Sequence, residues 1–589
     1  MGLHFIKKSI GLAALIILQS CSGSGGGSSL AIGDPNAPGT INTATKPNCV
    51  LGTGGNVAVS GQLKYKRVMQ NNSGSLDYGN IVDMPIRGAT VQLICGTAVV
   101  ATTVSDKVDG SYAFSVASGS KKLFIRVRAE LKQIGKLPGW DFTVVDNTHQ
   151  QALYVMDSAV FDTLQTSINN KNLLADSGFN NNLSTPAYSS DRVAAPFAIL
   201  DSVFIAKEKI LTVDSKAQFP ALKLNWSVNN STVEGNVAAG DISSSFFGQP
   251  SGISSPQIYI LGDDDSDTDE YDEHVIIHEW GHYIEHFFSR SDTIGGSHGG
   301  GDKLDMRVAF GEGFGNAFSG IVTDDSIYRD SQGASQAFGF SIDVDNNDCR
   351  ESAFVNSPKN NGFYSECSVE AILYDLYDSG IESGDTVALG LKPLFDVLTN
   401  EQKNTDALTS IFSFITPLKL NNPSSRTSID TLVSAQSIQT ITDIYGDSEV
   451  GSKNNPGKTN ILPVFAKINL GGAAVNVCST SENRSSDQKI NGNKLGVNRY
   501  LRFSLAASQS VTVSATRTSG VLNADPDIEV YRSGVIQGTG DSPTANFEKV
   551  SMSNLTAGEY IIVVYEFSYF KDTISPAITC FNVAVSVSN

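Results

Sequence analysis

Two histidines four residues apart, with a glutamate directly after the first, constrain this chain more than any other feature. The run is His278-Glu279-Trp280-Gly281-His282. Residues i and i+4 lie on one helical face, so the run predicts a helix that starts near Asp272 and presents both imidazoles on the same side. Two such imidazoles can grip one zinc ion, and Glu279, one residue on, can reach the water that the ion binds. With seven histidines in 589 residues, chance is a poor explanation of this arrangement. His274 and His286 extend the stripe by one step in each direction. Neither brackets a glutamate in the right place, so both are expected to support the site or to lie on the surface.

Length and charge set the frame. A chain of 589 residues exceeds what one core supports and predicts roughly three or four domains. Its 42 basic and 61 acidic side chains give a net charge of −19. That balance argues against binding nucleic acid or an anionic membrane by charge. Lys7 and Lys8 precede a nine-residue apolar run at 10–18, too short to span a bilayer. The run ends in Leu18-Gln19-Ser20-Cys21, which resembles a bacterial lipobox with Cys21 as the lipidated residue. Gln19 is unusual there, and ordinary signal-peptide cleavage is the alternative. The Gly/Ser-rich residues that follow form a flexible tether. Six further cysteines remain, an even count that suggests disulfides in an exported protein. Their order suggests the pairs Cys49–Cys95, Cys349–Cys367 and Cys478–Cys580.

Period-two segments around residues 59–63, 89–94 and 111–116, with a turn at Asp109-Gly110, predict strands. The segments Pro85-Ile86-Arg87-Gly88-Ala89-Thr90-Val91 and Asp109-Gly110-Ser111-Tyr112-Ala113-Phe114 resemble the carboxypeptidase-regulatory-like β-sandwich. Helices are expected at 193–211, 308–322, 367–379, 404–415 and 427–437, and a short strand at 258–261. Strands return at 500–505, 510–515, 527–531 and 558–564. There, Asp525-Pro526-Asp527-Ile528-Glu529-Val530-Tyr531 and Leu555-Thr556-Ala557-Gly558-Glu559-Tyr560 resemble the bacterial pre-peptidase C-terminal domain. The expected organisation is a signal segment at 1–21, a linker at 22–54, a β-sandwich at 55–130, a metallopeptidase domain at 131–462 and a β-sandwich at 463–589. The expected fold class is therefore multidomain, an α+β peptidase domain flanked by two β-sandwiches.

A catalytic zinc usually has a third protein ligand. The pattern H-E-x-x-H-x-x-G-x-x-H fails, because Glu285 and Phe288 occupy the required glycine and histidine positions. Glu312 lies in Gly311-Glu312-Gly313-Phe314-Gly315-Asn316-Ala317-Phe318, on a predicted helix rich in small residues that suit close approach to the histidine helix. The two motifs together resemble the gluzincin pattern of thermolysin-like and fungalysin-like peptidases. That resemblance implies His278, His282 and Glu312 as zinc ligands and Glu279 as general base. Asn316 stands where that family often has an aspartate orienting a zinc histidine. His298, Tyr364, Tyr374 and Tyr377 are candidates for the oxyanion donor, with no choice among them. Strand 258–261 is expected to pair with an extended substrate.

The acidic run Asp263-Asp264-Asp265-Ser266-Asp267-Thr268-Asp269-Glu270 has calcium-loop spacing, but Thr268 replaces the expected glycine. Asp343, Asp345, Asn347 and Asp348 form a second acidic cluster. Calcium and a plain solvated loop are both open for these. The combined expectation is a zinc endopeptidase of the bacterial envelope or exterior, monomeric and lipid-anchored or secreted, acting on proteins or peptides and binding no nucleic acid. The rival is a non-catalytic surface binding or adhesion lipoprotein with a degenerate peptidase domain, an option that Asn316 keeps alive.

Overall fold

The computed structural model describes residues 48–346, 360–380, 386–450, 461–483, 492–570 and 576–588. The expected signal segment, Cys21 and most of the linker lie outside these described residues. The architecture is mostly β-sheet with some helices, in two compact units. Of the described residues, one unit holds those up to Tyr283 together with Ile327–Ser341, and the other holds Ile284–Ser326 and those from Ile342 onward.

In the first unit, β1 (Asn56–Gln70) pairs antiparallel with β2 (Leu76–Pro85). The strands β3 (Ala89–Cys95), β4 (Ala98–Val104) and β5 (Ser111–Ala117) follow, with β5 returning to pair with β1. Alternation is clean in β5, where Tyr112, Phe114 and Val116 are buried and their neighbours exposed. β6 (Leu123–Gln133) and β7 (Trp140–Asp146) then join a larger sheet. Helix α1 (Ala195–Leu211) packs on both of these strands and starts with Pro196 in its first turn, where a missing N–H costs nothing. Asp201 of α1 accepts from Tyr65 Oη at 2.9 Å and from Arg87 Nε at 2.7 Å, which pins the helix to β1 and to the turn before β3.

The large sheet is completed by β8 (Leu222–Trp226), β9 (Phe246–Gly248) and β10 (Gln257–Ile260). Its order is β9-β10-β8-β7-β6-β3-β4, with two short strands pairing off this path. The expected domain boundary at residue 130 falls inside β6, whose Glu130 and Leu131 pair with Thr143 and Phe142 of β7. The physical reason is sheet continuity: β6 pairs with β3 on one side and β7 on the other. A second difference concerns strand 258–261. β10 lies between β8 and β9, so its backbone groups are used on both sides, and the edge of the sheet is β9. Helix α2 (Glu273–Phe288) follows, and the division between the units falls within it. Later in the chain β11 (Ile327–Gln332) returns to the first unit.

The second unit carries α3 (Met306–Thr323), α4 (Glu366–Tyr377), α5 (Leu391–Val397), α6 (Ile411–Asn421) and α7 (Arg426–Ala435). The expected helix at 404–415 is displaced, because Ser410 and Ser413 form a reciprocal cap that starts α6 at Ile411. Among the described residues the unit ends in nine strands, β12 (Phe465–Lys467), β13 (Val475–Thr480), β14 (Arg499–Leu505), β15 (Gln509–Ser519), β16 (Pro526–Arg532), β17 (Val535–Gly540), β18 (Phe547–Leu555), β19 (Gly558–Glu566) and β20 (Ile578–Val587). They form two sheets, β12-β14-β19-β16-β17 and β13-β20-β15-β18. Leu501, Phe503, Ile528 and Ile562 of one sheet share a core with Val511, Val513, Phe581 and Val583 of the other. Each such side chain contributes roughly 1.5–3 kcal/mol by leaving water.

Disulfides join Cys49 to Cys95 and Cys478 to Cys580, as the cysteine order suggests. The third expected pair involves Cys349, which lies outside the described residues. Among the described residues no helix is long and apolar enough to cross a membrane.

Burial, with Asp525 adding repulsion, pushes the Asp527 carboxyl of β16 up to about 7. A carboxyl raised on folding stabilises the fold fully below its unfolded value, near 3.9, and that contribution is lost as pH rises through the folded value. The melting temperature of the chain is therefore expected to fall between about pH 4 and pH 8, and Asp527→Asn should flatten that slope. Melting curves of the two proteins across this range check it, and equal slopes would count against the burial argument.

Candidate metal centre

Helix α2 is oriented by its aromatic side. Trp280 and Tyr283 are fully buried, with Trp280 packed on Phe142 and Phe219 at ring separations of 6.4 and 5.8 Å. Tyr283 Oη donates to the Pro220 carbonyl at 2.7 Å. Arg67 reaches the first turn, donating to Glu273 at 3.3 Å. With that side committed to the sheet, His278 and His282 share the remaining face. Their Nε2 atoms are 3.0 Å apart and their rings stand nearly perpendicular. Two imidazole nitrogens both bonded to zinc at 2.0–2.1 Å in tetrahedral geometry would lie about 3.3 Å apart, so the pair fits a shared ion.

Glu279 is buried, and its Oε2 accepts the Phe247 N–H of edge strand β9 at 2.6 Å. This contact was not legible in the sequence, because the three residues of β9 carry no alternation. His274 is buried with its ring 5.5 Å from that of Tyr328, and His286 is exposed.

Glu312 belongs to the second unit. Asp305 caps α3, accepting the Arg307 N–H at 3.1 Å, and is itself held by Arg307, Asn498 and Tyr500. Residues Met306–Val322 of this helix are all buried. A Cβ at Gly313 would fall 2.6 Å from Val369 Cβ and 2.7 Å from the Glu366 carbonyl, both on α4. A Cβ at Gly320 would meet Tyr374 at 2.9 Å, also on α4. At Gly311 it would meet Glu285 of α2 at a looser 3.4 Å. Gly313 and Gly320 thus approach α4 more tightly than Gly311 approaches α2.

Glu312 Oε2 lies 3.5 Å from His298 Nε2, and Glu366 Oε2 lies 3.4 Å from the same nitrogen. Burial pushes the His298 imidazole down, but Glu312 and Glu366 outweigh it and raise it. Asn316 donates its amide N–H to Glu370 at 2.8 Å. Burial, with Glu366 adding repulsion, holds the Glu370 carboxyl well above the usual range. The structure thus gives Asn316 a partner on α4 that the sequence reading did not supply. The other oxyanion candidates are placed differently. Tyr377 donates to Asp324 at 2.7 Å, Tyr374 packs on Gly320, and the Tyr364 carbonyl accepts from Leu304 at 2.8 Å. Sequence reasoning missed Glu366 and Glu370, since the helix expected at 367–379 leaves out the first and no local motif marks either.

The acidic run before α2 does not form one loop chelator. Asp263 accepts from Ser266 at 2.8 Å, and Glu270 is paired with Arg192 at 2.9 Å. The second acidic cluster lies partly outside the described residues.

The C-terminal sandwich resolves one comparison. Residues 497–566 match the bacterial pre-peptidase C-terminal domain. Domains of this kind occur in secreted bacterial peptidases and other extracellular proteins. Three solved structures are similar to about a fifth of the chain. The pre-peptidase C-terminal domain of collagenase from Bacillus anthracis is 13% identical, covers 20% of this chain and 92% of its own, and has a TM-score of 0.14. The surface-associated copper-binding protein CorA of Methylomicrobium album BG8 is 11% identical, with 21% and 98% covered and a TM-score of 0.15. The periplasmic lysozyme inhibitor PliG of Aeromonas hydrophila is 13% identical, with 20% and 96% covered and a TM-score of 0.12. No curated protein matches this chain.

The α3–α4 packing makes Gly313→Ala a direct probe. The added methyl meets backbone as well as Val369, so the variant is expected to lose about 1–3 kcal/mol through overpacking. A fall in the denaturant midpoint checks this, and an unchanged midpoint would mean that the helices separate at no cost.

Proposed function

We propose that this chain is a zinc-dependent endopeptidase of the bacterial envelope or exterior. We infer that its three protein zinc ligands are His278, His282 and Glu312, the set that the two sequence motifs together suggest. The observation that carries the reading is the convergence of the two histidine Nε2 atoms at 3.0 Å, with Glu279 between them in sequence and anchored by a backbone N–H. A zinc ion held by these residues supplies a Lewis acid and a water acidified towards neutral pH.

The chain's own residues do the rest. The Phe247 N–H fixes the direction of the Glu279 carboxylate. Glu279 accepts the proton of the attacking water and returns it to the leaving amine. His298, beside Glu312, is the preferred oxyanion donor among the four candidates. An extended substrate pairs with edge strand β9, since β10 is enclosed. The pre-peptidase C-terminal domain supports export. Lipidation at Cys21, monomeric action and protein or peptide substrates complete the proposal.

The test is proteolysis of casein and a mixed peptide library by soluble protein beginning at Ser22. Glu279→Gln should lower turnover by about 10²–10⁴-fold while zinc content stays at one per chain. Glu312→Gln should weaken zinc binding by at least about tenfold. Cleavage that survives both Glu279→Gln and a chelator would refute the reading. Zinc bound at one per chain without any cleavage would favour the surface-binding alternative.

A further inference from the structure

Three carboxylates meet just ahead of α2, within the first unit. Asp267 and Asp269 come from the segment that leads into the helix, and Asp330 comes from β11, some sixty residues later. Each offers an oxygen, and these oxygens all lie within 4.8 Å of one another. Oxygens on opposite sides of a calcium ion, each bound at 2.3–2.6 Å, are about 4.6–5.2 Å apart, so all three can reach one ion.

The neighbouring acidic groups have partners from the protein itself, although Glu270 Oε2 is buried without one. Arg192 neutralises Glu270, and Asp272 accepts from Ser331 N and Oγ at 2.7 Å each and from Gln70 at 2.9 Å. Asp267 and Asp269 differ. Asp269 is 3% exposed, its Oδ2 accepts from Ser245 Oγ, and its Oδ1 is buried without a hydrogen-bond partner. Asp267 Oδ1 is likewise buried and unpartnered. The charged groups that weigh most on Asp267 are Asp269, Asp330 and Asp272, all acidic. Buried charges persist only when paired or bound to a metal. A buried, unpartnered carboxylate oxygen within reach of two more carboxylates therefore calls for a cation.

We propose that Asp267, Asp269 and Asp330 bind one calcium ion at a site separate from the histidine pair. A set of carboxylate oxygens suits a hard cation, whereas zinc sites draw on histidine and cysteine. The site also has a route to the catalytic base. Ser245, held by Asp269, accepts the Leu261 N–H at 3.0 Å and stands immediately before β9, whose Phe247 N–H holds Glu279. Calcium would thus steady the edge strand from one side while Ser331, next to Asp330, braces Asp272 at the start of α2.

The experiment is calorimetric titration of the full chain with calcium chloride, after removal of divalent ions and restoration of one zinc per chain. The expected result is one calcium bound per chain with a melting temperature raised by several degrees. Asp269→Asn and Asp330→Asn should each weaken calcium binding at least tenfold with zinc content unchanged. Asp264→Asn, outside the cluster, should leave calcium binding intact. Absence of calcium binding by the unsubstituted chain would overturn the proposal, and so would full affinity in a folded Asp269→Asn or Asp330→Asn protein. Magnesium binding as tight as calcium binding would overturn the assignment to calcium. The unsubstituted chain is read directly, so a variant that fails to fold does not blunt the test. Because calcium binding is measured without reference to cleavage, this result stands apart from the outcome for the peptidase reading.

Discussion

The burial of Trp280 and Tyr283 against Phe142 and Phe219 is the contact on which the candidate site depends. A helix has a limited choice of faces, and these rings commit one of them to the sheet. What is left to His278 and His282 is a single common direction, and Glu279 falls where the edge of the same sheet can donate to it. A three-residue strand thereby acquires a chemical role out of proportion to its length. It closes the sheet on one side and supplies a fixed donor to a carboxylate on the other. The sheet is thus both the floor under the helix and the source of a donor that orients the Glu279 carboxylate.

The sequence made some of this readable and hid the rest, for identifiable reasons. The histidine spacing was legible because helical periodicity and zinc chemistry demand the same interval. In the C-terminal sandwich β15 was legible because buried and partly buried residues alternate along it. The disulfides Cys49–Cys95 and Cys478–Cys580 followed the chain order. The boundary expected at residue 130 lies inside β6, which carries its pairing straight across that point, and no local turn signal reveals such continuity. The misplaced start of α6 reflects a cap made by two serines, a weak signal beside the apolar positions around it.

Within the candidate site the gap has a common cause. Asp330, Glu366 and Glu370 lie far along the chain from the motifs they join in their respective units, and no local pattern announces them. Glycine was similarly ambiguous. The small residues around Glu312 signalled close packing correctly, but the neighbour they admit most tightly is α4. Sequence composition specified that a helix could approach and left open which one.

The cross-link between Cys478 and Cys580 has a consequence for how the domain responds to a chain cut. These residues face each other on β13 and β20, near the beginning and end of the C-terminal sandwich, 102 positions apart. A bond closing a loop of that size restrains the unfolded chain by about 4–5 kcal/mol in the chain-entropy account. It also means that a single cut anywhere between the two cysteines leaves both fragments covalently joined, so nicking of this domain changes its chain count without shedding any part of it.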